Sequence, residues 1–199
     1  EDMAVELIER VNANIHPVAY VPKGIDIARK VSKLKEAYKA AKDYSQEIAQ
    51  VMSNYVDVDQ RVVIANSEGL YTTDRRIRSR FAVQAIASDG KENQTGYEAP
   101  GRSMGFELFD MIDPAECGRE ASRIAVTMLH APLCPSGKMI VSIDNGFGGV
   151  IFHEACGHSL EATSVAKGNS EFAGKLGQKI ASDKVTAIDD GTLPNAWGS

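Results

Sequence analysis

A chain of 199 residues with 43% apolar and 25% charged side chains is long enough for one domain, or one and part of another, and has the make-up of a globular rather than a disordered protein. A net charge of −5 argues against a nucleic-acid-binding surface, and no apolar run reaches the ~18 residues that a membrane span needs. Three cysteines without framework spacing fit a reducing compartment, so the expected location is cytoplasmic.

Met3 to Val11 places Val5, Ile8 and Val11 beside Ala4 and Leu7, which predicts an amphipathic helix. His16-Pro17 and Pro22-Lys23-Gly24 interrupt it, with a short extended stretch from Val18 to Val21 between them. His16 has no charged or cysteine neighbour and reads as a bystander held extended by the proline that follows. From Asp26 the apolar positions Ile27, Val31, Leu34, Tyr38 and Ala41 step by four and three, predicting a helix that ends near Ser45. The same phase would continue through Ile48 and Met52, but Val51 to Ile64 is rich in β-branched residues, so a strand is expected from Ile48 to Val58. A meander follows: strands at Arg61–Ala65, Leu70–Thr73 and Ile77–Ser88, with turns at Asn66–Gly69 and Asp89-Gly90. Arg76, Arg78 and Arg80 share one face of the last strand, read as a solvated sheet face rather than a grip for acidic partners. Asn93 to Gly105 is polar and glycine-containing, which predicts a surface loop or irregular hairpin. Asp113-Pro114 then starts a helix to about His130, with Ala121, Ile124, Ala125, Met128 and Leu129 inward and His130 complementing the helix dipole. Ala131 to Gly137 reads as a linker.

Lys138 to Ile143 (KMIVSI) reads as a buried strand leading through Asp144-Asn145-Gly146 to the stretch GGVIFHEACGHSLEA, Gly148 to Ala162. Neither a P-loop nor a dinucleotide fingerprint is present, which discounts nucleotide binding. Two histidines and two glutamates stand together here: His153, Glu154, His158 and Glu161. Histidine is the commonest metal-binding side chain, and a glutamate beside a ligating histidine is the usual base of a metallopeptidase. The histidines are five apart, not four as in H-E-x-x-H. At about 100° per residue, five steps leave two side chains roughly 140° apart on a regular helix. A single π-turn restores the alignment, and Gly157 marks where the helix would unwind most easily. A helix from Gly149 to Thr163, distorted near Gly157, is therefore expected. Packed or solvated histidines are the bland reading. Against it, the chain has only four histidines, and two fall within six residues beside glutamates.

Glu161, three residues past His158, could ligate a metal or accept an imidazole N–H, the second being the preferred role. Cys156 is placed as a packed thiol rather than a ligand. Beyond the motif, Glu171–Ala181 reads as a short helix, Val185–Ile188 as a strand, and Asp189-Asp190-Gly191 as a turn that accounts for both aspartates. The fold class expected is α+β, an antiparallel or mixed sheet with packed helices (residues 1–132), followed by the start of a second domain (residues 133–199) carrying the metal-site helix.

Three strings carry a family resemblance: HEACGHSLEA, VVIANSEGLYTTDRR from Val62 to Arg76, and the run from Lys167 to Ser199. They resemble the TldD/PmbA proteins, specifically the TldD-type subunit, since the PmbA-type (TldE) partner lacks the H-E-x-x-x-H motif. The resemblance implies a strand after the first long helix and a cytoplasmic metallopeptidase acting on unfolded or flexible peptides. In it His153 and His158 hold the metal, Glu154 activates water, and the chain forms a homodimer or a heterodimer with a PmbA/TldE-type subunit. Zinc is the metal expected, with iron or another divalent ion as the alternative. Family members process peptide-antibiotic precursors, degrade an antitoxin and have been described as modulators of DNA gyrase. The resemblance also implies a third ligand, a cysteine far downstream, whereas Cys117, Cys134 and Cys156 all lie before or inside the motif. The chain is accordingly expected to be an internal fragment, lacking that ligand and inactive by itself. Two rival classes stand beside the peptidase: a non-catalytic regulatory subunit of the gyrase-modulator kind, and a metal-dependent redox protein.

Overall fold

The computed structural model describes residues 5–198. In chain order the elements of the first part are β1 (Ile8–Glu9), α1 (Ile27–Lys42), β2 (Ile48–Ala65), β3 (Leu70–Ser88), β4 (Asn93–Glu98), β5 (Gly101–Arg102), α2 (Leu108–Met111) and α3 (Pro114–Leu129). Two compact units result: one comprises the chain up to Pro132 together with the stretch from Asp190 on, the other Leu133–Asp189. The architecture is α+β. No described helix is long and apolar enough to cross a membrane.

The first unit is built on a long hairpin. β2 and β3 pair antiparallel from Ile48↔Ala87 to Ala65↔Tyr71, with one irregularity at Ala49. Asn66 closes the turn by accepting the N–H groups of Glu68 and Leu70, and Gly69 takes a φ of +86° there. The sequence predicts breaks near Asp59-Gln60 and Asp74–Arg76, but both strands run through them. The polar residues are tolerated because this stretch is solvated, and Arg75 spans the strands with two bonds to the Asp59 carboxylate, of 2.8 and 2.7 Å.

β3 carries three partners along its other edge: β1 parallel at Leu70–Tyr71, β5 antiparallel at Ser79–Arg80, and β4 antiparallel at Val83–Ser88. The polar stretch expected as a surface loop or irregular hairpin is thus largely strand paired with β3. Its Gly96 is not a loop signal but a close approach, since a Cβ there would lie 1.9 Å from the Ala121 carbonyl oxygen of α3. The amphipathic helix predicted over Met3–Val11 is also corrected. Met3 and Ala4 lie outside the described residues, and Ile8–Glu9 is a strand tied by Ile8 N–H to Gly69 O at 2.7 Å. Val5, Leu7, Ile8 and Val11 are all exposed, so no helical face is buried to reward the periodicity.

Both long helices are capped by an aspartate, Asp26 on the Ala28 N–H and Asp113 on the Ala115 N–H. They meet over small residues: Ala37 and Ala41 on α1, and Gly118, Ala121, Ser122 and Ala125 on α3, are all buried. Ser122 Oγ donates to the Ala41 carbonyl at 2.9 Å. A Cβ on Gly118 would stand 2.3 Å from Ala37 O, so the two backbones touch where only hydrogen fits. Beneath the helices lie Ile48, Phe81, Val83, Ala85 and Ala87, and Leu108 of α2 closes the layer. Tyr55, Phe106 and Phe109 form an aromatic cluster beside Phe81, and burial pushes the Tyr55 phenol up to about 12.

Two devices hold the segments that lack regular structure. Glu107 accepts the N–H groups of Ala19, Tyr20 and Gly105 at 3.2, 2.9 and 2.8 Å. Further on, Ser103 N–H donates to Asn195 O, Ser103 Oγ to Ala196 O, and Trp197 lies on Gly101 with Arg78 over its ring.

The second unit departs most from the sequence reading. Lys138–Ile143 is not a buried strand: no strand lies beside it among the described residues, and Met139, Ile140, Val141 and Ile143 are exposed. Glu171–Ala181 forms turns instead of a helix, because Gly174 and Gly177 adopt φ of +71° and +76°. Val185–Ile188 is likewise without a partner strand among the described residues.

Two outcomes test this packing. Gly118→Ala is expected to destabilise the fold by about 3 kcal/mol or more through backbone overpacking, whereas Gly24→Ala, with nothing within 4 Å of its Cβ, should be near neutral; denaturant unfolding compares them. For Glu107, burial alone would raise the carboxyl pKa, but the N–H groups of Gly105, Glu107 itself, Tyr20 and Ala19 outweigh it and hold the group below its usual range. Its contribution is therefore full above the ordinary glutamate pKa of about 4.3 and lost as pH falls through the lower folded value. Glu107→Gln should cost about 1–2 kcal/mol at neutral pH. That deficit should close in unfolding titrations carried below about pH 4.

Candidate metal centre

The site is built by one irregular stretch of helix in the second unit. A turn of 3-10 helix at Phe147–Gly149 leads into α4 (Val150–Phe152), and His153–Gly157 then forms a π-turn. The His158 N–H bonds to the His153 carbonyl, an i→i+5 step. His158–Leu160 tightens to 3-10 geometry, Glu161 turns extended at φ −58° and ψ 131°, and α5 (Ala162–Ala166) begins. The helix expected from Gly149 to Thr163 with a distortion near Gly157 is thus a run of α, π and 3-10 winding, interrupted at Glu161. Ser170 Oγ donates to Ser159 O and Asn169 N–H to Ser164 O, so the following turn folds back onto this stretch.

The π-turn decides where the side chains go. Adding one residue to the hydrogen-bonded ring brings His158 round to the side of His153, and the imidazole centroids stand 4.4 Å apart at 67°. The donor atoms of His153, Glu154 and His158 all lie within 4.8 Å of one another, and all three residues are exposed. Among the described residues this is the one group of three or more histidine, cysteine, aspartate or glutamate side chains so placed. Glu154 Oε2 is 3.8 Å from His158 Nε2, and Glu161 Oε1 is 2.7 Å from Nδ1 of the same ring. The Glu161 hydrogen bond, opposed by slight desolvation and aided by the charges of Glu161 and Glu154, raises the His158 pKa above its ordinary value. Two imidazole nitrogens beside a carboxylate are a donor set that suits zinc and also iron, so the residues present fit a divalent ion.

Gly157 takes helical angles, φ −57° and ψ −53°, so no left-handed conformation is demanded of it. A Cβ there would rest 3.4 Å from His153 Nδ1, an ordinary contact. The turn is thus wound by its hydrogen bonding rather than by a glycine-only geometry.

The other residues singled out in the sequence lie elsewhere. Cys156 is half-buried and lines an apolar depression with Ile143, Phe152 and Ala155. Cys117 is buried, and burial first, then Glu98 and Asp113, push its thiol up to about 11; Cys134 is exposed. Asp190 accepts the backbone and hydroxyl of Thr192, as a turn residue does. His130 Nε2 meets Glu47 Oε1 at 2.8 Å. Arg76 bonds Asp74 and Arg78 stacks on Trp197, both lining a cavity with His16, while Arg80 is exposed. His16 does more than the sequence reading allowed: its Nδ1 accepts the Asn195 N–H at 2.9 Å, a contact between residues 179 apart that no local pattern announces.

Comparison with known proteins places this chain in a family. Residues 20–129 match the PmbA/TldA metallopeptidase central domain and residues 136–199 the PmbA/TldA metallopeptidase C-terminal domain. A protein of Methanothermobacter thermautotrophicus named metalloprotease is 36% identical over 178 residues, 89% of this chain and 38% of the relative. A metalloprotease TldD homolog of Buchnera aphidicola is 28% identical over 204 residues, 99% of this chain and 41% of the relative. Two crystal structures, each described as a candidate modulator of DNA gyrase, share the fold. The Thermotoga maritima protein has a TM-score of 0.65 at 19% identity, over 88% of this chain and 39% of its own. The Bacteroides thetaiotaomicron protein has a TM-score of 0.74 at 18% identity, over 86% of this chain and 38% of its own. The chain thus spans about 40% of the length of the relatives it matches.

Because Gly157 is neither left-handed nor crowded, Gly157→Ala is expected to keep the two imidazoles together and to stabilise the turn by up to about 1 kcal/mol. Metal stoichiometry and thermal unfolding of the complete protein check this; loss of metal in that variant would show a glycine requirement.

Proposed function

We propose that this chain, which belongs to the PmbA/TldD family of metallopeptidases and is of the TldD type, carries the metal-holding and proton-transferring turn of a peptidase that hydrolyses unfolded or flexible peptides. The observation that supports the reading is the convergence of two imidazoles, 4.4 Å apart, beside the carboxylate of Glu154. His153 and His158 would hold a divalent ion, zinc by preference. Such an ion, when bound, lowers the pKa of water toward about 7 and polarises the scissile carbonyl.

The chain's own groups do the rest. Glu154 adjoins one proposed ligand in sequence and faces the other in space, so its carboxylate is within reach of a water at the site. It takes the proton of the attacking water and delivers it to the leaving amine nitrogen. A catalytic zinc takes three protein ligands with one position open. The third is proposed to be a cysteine in the part of the relatives' length that this chain does not span. An extended peptide would be held by pairing with a sheet edge, a mode that reads backbone more than side chains and so favours unfolded substrates.

A regulatory role without chemistry is the second reading, favoured by the naming of the two structural neighbours as candidate gyrase modulators. One substitution separates the two. Glu154→Gln in the complete protein should lower peptide hydrolysis by about 10²–10⁴-fold, the range expected of a general base, while metal content is retained. Full hydrolysis in that variant would remove Glu154 from the mechanism; a parent protein with metal but no peptidase activity would favour the regulatory reading.

A further inference from the structure

The backbone leaves the helix at Glu161, and that departure, at φ −58° and ψ 131°, turns its carboxylate back toward the preceding turn. Glu161 is held there on both sides: its N–H bonds to His158 O at 3.3 Å, and its carbonyl accepts the N–H groups of Ser164 and Val165 at 3.0 and 3.1 Å. From this anchored position Oε1 reaches Nδ1 of His158 at 2.7 Å, while Nε2 of the same ring faces Glu154 Oε2 at 3.8 Å.

An ionised carboxylate only accepts hydrogen bonds. A neutral His158 ring bonded to Glu161 therefore carries its proton on Nδ1 and keeps the Nε2 lone pair free on the Glu154 side. Glu161 itself stands outside the close group formed by His153, Glu154 and His158. We infer that Glu161 is a positioning residue, which locks His158 in the Nδ1–H tautomer and so presents Nε2 as its metal-donor atom. The inference rests on the metallopeptidase reading and decides between the two roles that spacing leaves open to Glu161. Ligating histidines commonly give their second N–H to a carboxylate, which fixes the ring and strengthens it as a donor.

The first arm of the test needs no metal. In the metal-free, 15N-labelled complete protein, at a pH where the imidazoles are neutral, two-bond proton–nitrogen correlations report each ring's tautomer. His158 is expected as Nδ1–H in the parent and in Glu161→Gln, whose amide oxygen still accepts. In Glu161→Ala it should revert to the Nε2–H form that free histidine prefers. The second arm titrates cobalt(II) against a competing chelator. Glu161→Ala should bind about 10- to 100-fold more weakly, Glu161→Gln should recover part of the loss, and the ligand-field bands should stay in place. A parent ring in the Nε2–H form, or parental affinity in Glu161→Ala, overturns the inference. Altered ligand-field bands in Glu161→Ala also overturn it, by making Glu161 a ligand. His158→Ala with parental cobalt affinity would instead overturn the metal-site reading beneath it.

Discussion

One backbone hydrogen bond, from the N–H of His158 to the carbonyl of His153, governs what the second unit can do. On a regular helix five residues carry a side chain roughly 140° around the axis, so the two imidazoles would point apart. The wider ring of the π-turn absorbs the extra residue and sets the rings on one side, 4.4 Å apart. Such turns give up regular i→i+4 bonding and recur where a functional geometry rewards them. The tight 3-10 step that follows, and the extended Glu161 after it, continue the same logic. The extended Glu161 brings a second carboxylate to the His158 ring.

The first unit works by a different constraint, close backbone approach. α1 and α3 meet through alanines, a serine and Gly118, and β4 meets α3 at Gly96, where a side chain would collide with a carbonyl. Small residues bury little area each, so the stability of this layer comes from fit, with Phe81, Ile48 and Leu108 supplying the apolar bulk. A close-packed sheet with its small-residue helices and an irregular turn bearing His153, Glu154 and His158 are built by different means. The two units of this chain divide along that line.

Local signals were legible in the sequence wherever one residue fixed one geometry. Asp113 announced the start of the second long helix, Asn66 and Gly69 the hairpin turn, and the five-residue histidine spacing the need for a π-turn. What the sequence hid was set by distant partners. Gly96 reads as a loop residue until α3 is laid across it, and Asp59-Gln60 reads as a break until Arg75 reaches over from the neighbouring strand. Ile8 is periodic like a helix yet pairs beside Leu70, a contact across 62 residues. KMIVSI has the composition of a buried strand, but a strand forms only against a partner, and none stands beside it among the described residues. His16 shows the same limit from the other side, a bystander by its neighbours and a hydrogen-bond acceptor by its fold.

The most direct trial of the account is a crystal structure of the complete protein grown with zinc, with anomalous diffraction recorded on both sides of the zinc edge. A single anomalous peak bonded to one nitrogen of His153 and to Nε2 of His158, with the Glu154 carboxylate beside it, is the predicted result. Metal bound elsewhere, or imidazoles that diverge in the presence of saturating zinc, would contradict it.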